Sequence, residues 1–223
     1  MTTATVRRPV KRRRGARVLV VAGSEVLLVR DTDPGVPGSL WWVLPGGGAD
    51  EGEEAAAAAI RELYEETGLA VAELAGPIAE RVVTHGYSDR ILIQHELFFR
   101  VDVPRFDPLP ARLSDSERRR QITTRWVPVD QLPAFPTWPG DLDRLLAATP
   151  QRPLLWGDVE ESTVPVGGQD EDQGDGDQVD QAQRPGHRRV QVGGEALGQG
   201  EGHGRDEQPP SDRVSREGGD GEA

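Results

Sequence analysis

Apolar residues recur along this chain in short, dense runs broken by glycine and proline, a pattern that predicts strands more often than helices. Arg17–Ala22 and Glu25–Arg30 are rich in Val and Leu and flank Gly23-Ser24, which predicts a β-hairpin. Asp31–Ser39 carries Pro34, Gly35, Pro37 and Gly38 and reads as a loop. Trp41–Leu44 is a short strand stopped by Pro45, and Gly46-Gly47-Gly48 follows as a turn. A helical period runs from about Glu53 to Thr67 and is closed by Gly68 as a C-terminal cap. Ile78–Thr84 and Arg90–Val103 predict two strands around a turn at His85–Asp89, Thr123–Val129 predicts another, and Asp141–Ala148 a closing amphipathic helix. Strands on both sides of one central helix indicate a mixed α/β domain over residues 16–157, with no internal repeat.

Composition adds two boundaries. Residues 1–157 hold 20 Lys+Arg and 21 Asp+Glu, a net of −1, whereas residues 158–223 hold 6 and 17, a net of −11. Beyond Trp156 there is no further Trp, Tyr, Phe or Ile, and Leu197 is the only Leu. Such a segment buries too little apolar surface to offset chain entropy, so residues 158–223 are expected to be a disordered acidic tail. A cut after Gly157 is then expected to leave the fold intact. The start is the opposite: Arg7, Arg8, Lys11, Arg12, Arg13, Arg14 and Arg17 occur without an acid among the first 17 residues. Residues 1–15 read as a basic disordered arm, either a frayed terminus or a contact for nucleic acid.

Other classes are excluded by what the chain lacks. With no Cys there is no disulfide scaffold, thiolate metal site or cysteine nucleophile. His85, His95, His187 and His203 show no metal-binding spacing. Apolar runs such as Val18–Ala22 fall far short of the ~20 residues of a membrane helix, and Gly23, Ser24 and Glu25 interrupt any signal-peptide core. A soluble, cytoplasmic protein is expected.

The candidate chemistry lies on the central helix. At ~100° per residue, Ala56, Ile60, Leu63 and Thr67 fall on one side and Glu62, Glu65 and Glu66 on the other. A solvated face is the ordinary reading of such acids. Like charges at i,i+4, however, cost ~0.2–0.5 kcal/mol, and Arg61 is the only base close enough to offset them. Three converging carboxylates suit a cation, and an all-oxygen set suits Mg²⁺ or Mn²⁺ shared with substrate phosphates. Gly46, Gly47 and Gly48 would let the backbone approach those phosphates.

From Gly47 to Leu69 the sequence reads Gly47, five residues, Glu53, seven residues, Arg61-Glu62-Leu63, Tyr64, Glu65-Glu66, Thr67, Gly68-Leu69. This resembles the complete 23-residue signature box of the Nudix hydrolase family, without a departure at any specified position. The resemblance covers residues 16–150. It implies a Nudix-type α/β/α sandwich with a mixed sheet, cleaving the diphosphate linkage of a nucleoside diphosphate joined to another moiety. It also implies Mg²⁺ or Mn²⁺ on Glu62, Glu65 and Glu66, an orienting role for Arg61, and substrate binding at Gly46–Gly48. Glu53 has two readings, a catalytic one and a helix N-cap pair with Asp50; on an ideal helix it points about 180° from Glu62 and reaches the site only if the chain is unwound there.

The general base is not readable, and Glu80 and Glu96 are candidates only as acids on following strands, where solvent-facing positions are the plainer account. Trp41, Trp42, Trp126, Trp138 and Trp156 could stack a nucleobase, with one of the five expected to meet substrate and the rest to pack. Ser114–Arg120 reads as a charged helical turn at the rim of the site. Two rivals stand beside the hydrolase: a catalytically silent Nudix-fold nucleotide-binding or regulatory module, and a hydrolase of RNA ends that uses the basic arm.

Overall fold

The computed structural model of the protein describes residues 8–120, 122–167 and 189–191. Its strands are β1 (Val10–Ala22), β2 (Glu25–Asp31), β3 (Trp41–Val43), β4 (Gly46–Gly48), β5 (Ala75–Gly86), β6 (Ile91–Asp102), β7 (Thr124–Pro128), β8 (Thr137–Trp138), β9 (Leu154–Ser162) and β10 (Arg189–Gln191). Helix α1 (Ala55–Thr67) follows β4, and a short α2 (Asp115–Arg120) precedes β7. The strands form one mixed sheet in the order β10-β9-β5-β6-β1-β2-β3-β8, with β4 added to β1 and β7 to β2. The expected hairpin is present, Val21 pairing with Val26 and Ala22 with Glu25.

Alternation along β1 builds both cores. Ala16, Val18, Val20 and Ala22 turn to one face, where they meet Ala58, Ala59 and Leu63 of α1 together with Phe99 and Trp126. Leu19 and Val21 turn to the other face and pack with Phe98, Leu132, Leu142 and Leu145. The layer opposite α1 consists of 3₁₀ turns at Val129–Ala134 and Leu142–Ala147, the latter in place of the expected helix over Asp141–Ala148. Leu142 and Leu145 are three apart, which aligns them on one side of a 3₁₀ turn as well as an α-helix, and both are buried there.

Two boundaries move outward. The basic start is a strand from Val10 onward, paired in parallel with β6 from Val10–Ile91 to Val21–Asp102. Lys11, Arg12, Arg13 and Arg14 are exposed, so no apolar alternation marks them; backbone pairing with β6 holds them in line. The acidic segment likewise begins inside the fold. β9 runs to Ser162 beside β5, and Glu161 and Ser162 are buried. Thr163 donates its N–H to the Gly86 carbonyl and its hydroxyl to Asp33 Oδ2 at 2.6 Å. The rest of the proposed arm and tail, residues 1–7, 168–188 and 192–223, lies outside the described residues.

Candidate active site

Five consecutive alanines at Ala55–Ala59 favour helix at the start of α1, and the small Ala58 and Ala59 let it lie close on the sheet. The helix ends at Gly68, whose φ of 74° is left-handed and whose N–H returns to the Tyr64 carbonyl. The second half of α1 carries Glu62 and Glu66 to a cleft of about 260 Å³ walled on its other side by β4. β4 is no simple turn: Gly46, Gly47 and Gly48 pair with Arg17, Ala16 and Gly15 of β1. A Cβ on Gly46, at φ 137°, would stand 2.2 Å from the Ala16 carbonyl oxygen, so only glycine fits. Gly46 donates its N–H to Glu66 Oε2 at 2.8 Å. A Cβ on Gly47 would meet the Glu62 carboxylate at 2.6 Å.

The helical wheel needs correction here. Glu66 is buried, not on a face opposite the core, while Ala56 is exposed and Ile60 half-buried. The reason is β4, which covers the side of α1 that a two-sided wheel assigns to water.

Arg61 gathers the remaining acids. It donates to Glu53 Oε1 and Oε2 at 3.0 and 2.9 Å, to Glu62 Oε1 at 2.9 Å, to Glu65 Oε2 at 3.4 Å and to the Gly48 carbonyl at 3.0 Å. Glu53 lies before the first turn, where the chain is unwound, and so escapes the ideal-helix direction that would send it away from Glu62. It also accepts the Asp50 N–H at 2.8 Å. Hydrogen bonds from Arg61 and then Asp50 hold its carboxyl down to about 2. Glu65 is drawn toward Arg61 and does not line the cleft. Among the described residues no three His, Asp or Glu side chains stand close enough to share one metal ion. The donor chemistry still fits Mg²⁺ or Mn²⁺: two carboxylates facing a strand of bare backbone, with oxygen the only ligand type offered.

Glu96 is not solvent-facing. It is fully buried and accepts from Arg17 Nε at 3.1 Å, Arg81 Nε at 2.6 Å and Gln94 Nε2 at 2.5 Å. Burial would raise its pKa, but the two guanidiniums hold it well below the usual carboxylate range. Arg17 in turn donates to the carbonyls of Leu44 at 3.2 Å and Gly46 at 2.6 Å. A continuous polar chain thus joins Glu96 through Arg17 and Gly46 to Glu66, which places Glu96 behind the site instead of in it. Glu80 is exposed and paired with His95 at 2.7 Å. No signal along β6 distinguishes the buried Glu96 from a surface acid; only its partners from β1 and β5 do.

None of the five tryptophans lines the cleft. Trp41 and Trp138 stack at 4.2 Å in the interior, Trp126 donates to the Phe106 carbonyl beside α1, Trp42 packs on Phe135 and Trp156 on Phe98. The aromatic ring in the cleft wall is Tyr87, from the β5–β6 turn. Four arginines also line it: Arg13, Arg17, Arg90 and Arg120. Arg13 stands at Gly48 and donates to Gln94 Oε1. Arg120, at the end of α2, pairs with Asp31 at 2.5 Å, and with Ser114 it puts the expected rim segment on the cleft.

The sequence profile of the NUDIX domain matches residues 11–148. An RNA pyrophosphohydrolase of Acidiphilium cryptum is 42% identical over 80 residues, covering 36% of this chain and 48% of that protein. One from Brucella anthropi is 49% identical over 51 residues, 23% of this chain and 28% of that protein. The chain therefore matches about half the length of the first and less than a third of the second. Among solved structures, a MutT protein from Bacillus halodurans is 23% identical with a TM-score of 0.43, over 60% of this chain and 80% of that one. A C. elegans Ap4A hydrolase is 19% identical with a TM-score of 0.44, over 60% and 95%.

Proposed function

Because the chain belongs to the Nudix hydrolase family, we propose that it hydrolyses the diphosphate linkage of a nucleoside diphosphate joined to another moiety, using Mg²⁺ or Mn²⁺. The observation that carries this reading is the facing of Glu62 and Glu66 onto the glycine strand of β4 in one arginine-lined cleft. Glu62 and Glu66 would hold the metal, with Glu65, turned toward Arg61, joining only through a water. A bound divalent ion supplies charge neutralisation and an acidified water.

The chain's own residues do the rest. Gly46–Gly48 present backbone without side chains, so phosphate oxygens can approach closely. Arg13, Arg17 and Arg120 place positive charge along the same cleft, where phosphoryl transfer needs positioning and charge balance more than covalent help. Arg61 keeps Glu53 ionised and holds Glu62 in place by a hydrogen bond, and Glu96 fixes Arg17. The substrate is a small-molecule nucleotide under this reading; among the described residues no helix is long and apolar enough to cross a membrane.

Two observations favour a second reading, in which the diphosphate belongs to the 5′ end of an RNA. The two relatives compared above are RNA pyrophosphohydrolases, and β1 displays Lys11, Arg12 and Arg14 toward solvent. Nucleotide sugars, dinucleoside polyphosphates, nucleoside triphosphates and 5′-triphosphorylated RNA, each assayed with Mg²⁺ and with Mn²⁺, separate the readings. Turnover of RNA that falls steeply with salt, and falls further when Lys11 and Arg12 are neutralised, selects RNA. Turnover of mononucleotide compounds indifferent to those changes selects the first. Binding without turnover of any of them selects the catalytically silent module.

A further inference from the structure

The cleft wall is mixed. Beside Glu62, Glu66 and the glycines of β4 it is lined by the charged and polar Asp31, Ser114 and Arg120 and by Val29, Val43, Leu92 and Ile122, together with Tyr87 and Arg90. The Arg90 guanidinium lies 4.5 Å from the centroid of the Tyr87 ring. Trp41, His85 and Trp138 surround the same ring at 5.7 to 6.4 Å. Arg90 covers the ring with its side chain about one-third exposed.

Its charge is already answered. Nη1 of Arg90 donates to both oxygens of Asp89, at 2.8 and 2.9 Å. A guanidinium so paired is a weak phosphate clamp, but its plane remains available, and a guanidinium plane stacks on nucleobases as an aromatic ring does. The layer is also held in place. Tyr87 donates its N–H to the Arg90 carbonyl at 2.9 Å, and Ser88 N–H goes to the buried Asp33 at 2.7 Å. Arg8 Nη1 donates to the Tyr87 carbonyl at 2.8 Å.

We infer that the Arg90–Tyr87 stack is the base platform of the cleft, on which the purine or pyrimidine of a nucleotide lies while its diphosphate reaches β4 and α1. This rests on the reading of the cleft as a diphosphate site, and it assigns to Arg90 the recognition that none of the tryptophans is placed to give.

The test is calorimetric binding, without turnover, of ADP and of inorganic pyrophosphate to the wild type, Arg90→Ala and Arg90→Lys. The wild type is expected to bind ADP more tightly than pyrophosphate. Arg90→Ala should weaken ADP about tenfold, in the range found for removing a stacking partner, and pyrophosphate by less than about twofold. Arg90→Lys keeps the charge but loses the plane, and should behave like Arg90→Ala. Equal weakening of both ligands by Arg90→Ala, or rescue of ADP by Arg90→Lys, would mean that Arg90 acts as a charge and would overturn the platform. Unchanged ADP binding in both variants would overturn it as well. Pyrophosphate binding by a wild type that shows no preference for ADP defeats the platform alone. Failure of the wild type to bind either ligand defeats the diphosphate reading itself. A melting curve for each variant confirms the fold.

Discussion

Arg17 joins Glu96, buried on β6, to the carbonyl of Gly46 in the β4 wall of the cleft, with contacts of 3.1 and 2.6 Å. Gly46 then meets Glu66 through its N–H. Glu96 therefore acts on Glu66 by fixing the strand that Glu66 leans on. Glu96→Gln keeps the shape and one acceptor but removes the charge that balances Arg17 and Arg81. The Mg²⁺ concentration giving half-maximal turnover is expected to rise several-fold, with kcat at saturating metal changed far less. A fall in kcat at saturating metal by 10²-fold or more, the loss typical of a general base, would instead make Glu96 a participant in the chemistry.

Gly46 and Gly47 are adjacent but should fail differently when changed to Ala. At Gly46 the new Cβ strikes the Ala16 backbone, in a conformation L-residues avoid, so melting should fall by an amount matching roughly 1–3 kcal/mol or more. At Gly47 the obstacle is the end of the Glu62 side chain, which can swing aside. Gly47→Ala should therefore keep its melting temperature and lose turnover. Thermal scans beside steady-state rates read both outcomes.

His85 gives the fold a dependence on pH. Burial lowers its pKa to about 3, from an ordinary 6.5. The folded state thus resists a proton that the unfolded chain accepts, and stability is lost as pH falls below about 6.5. At pH 5 the loss amounts to about 2 kcal/mol for a difference of 1.5 units. His85→Gln should melt at nearly the same temperature at pH 7 and pH 5, whereas the wild type should drop by several degrees. Equal drops in both would assign the acid sensitivity elsewhere.

Truncations test where the domain ends. A cut after Gly157 removes half of β9 and leaves Arg81 without Glu161, which it meets at 2.8 Å in the interior. Breaking one partner of a buried pair costs roughly 3–5 kcal/mol, so melting should fall sharply. A cut after Gly167 removes, among the described residues, only the three-residue β10, and should lower melting by a few degrees at most. Equal melting of the two truncated chains would return the boundary to residue 157.

The hairpin, the central helix and its glycine cap are legible because local turn chemistry and a 3.6-residue period specify them. The outer strands are not. Lys11–Arg14 show no apolar alternation because their place is set by backbone pairing with β6, and Asp158–Ser162 read as tail because charged side chains such as Glu161 are matched only by a residue 80 positions away. The candidate residues of the box follow from their spacing on α1 and from the resemblance to the Nudix signature. Their grouping does not: Glu65 turns to Arg61, Glu66 is buried by β4, and Tyr87 with Arg90 enters from a turn that carries no motif.

Glu62 and Glu66 are proposed to hold a catalytic divalent ion against β4. Turnover of a diphosphate-bearing nucleotide by Glu62→Gln and Glu66→Gln, measured at saturating Mg²⁺ and substrate with melting curves in parallel, addresses it most directly. Both variants should stay folded, and both should lose turnover by roughly 10²-fold or more, on the scale of a lost positioned acid–base group. Wild-type turnover in either folded variant would contradict the account.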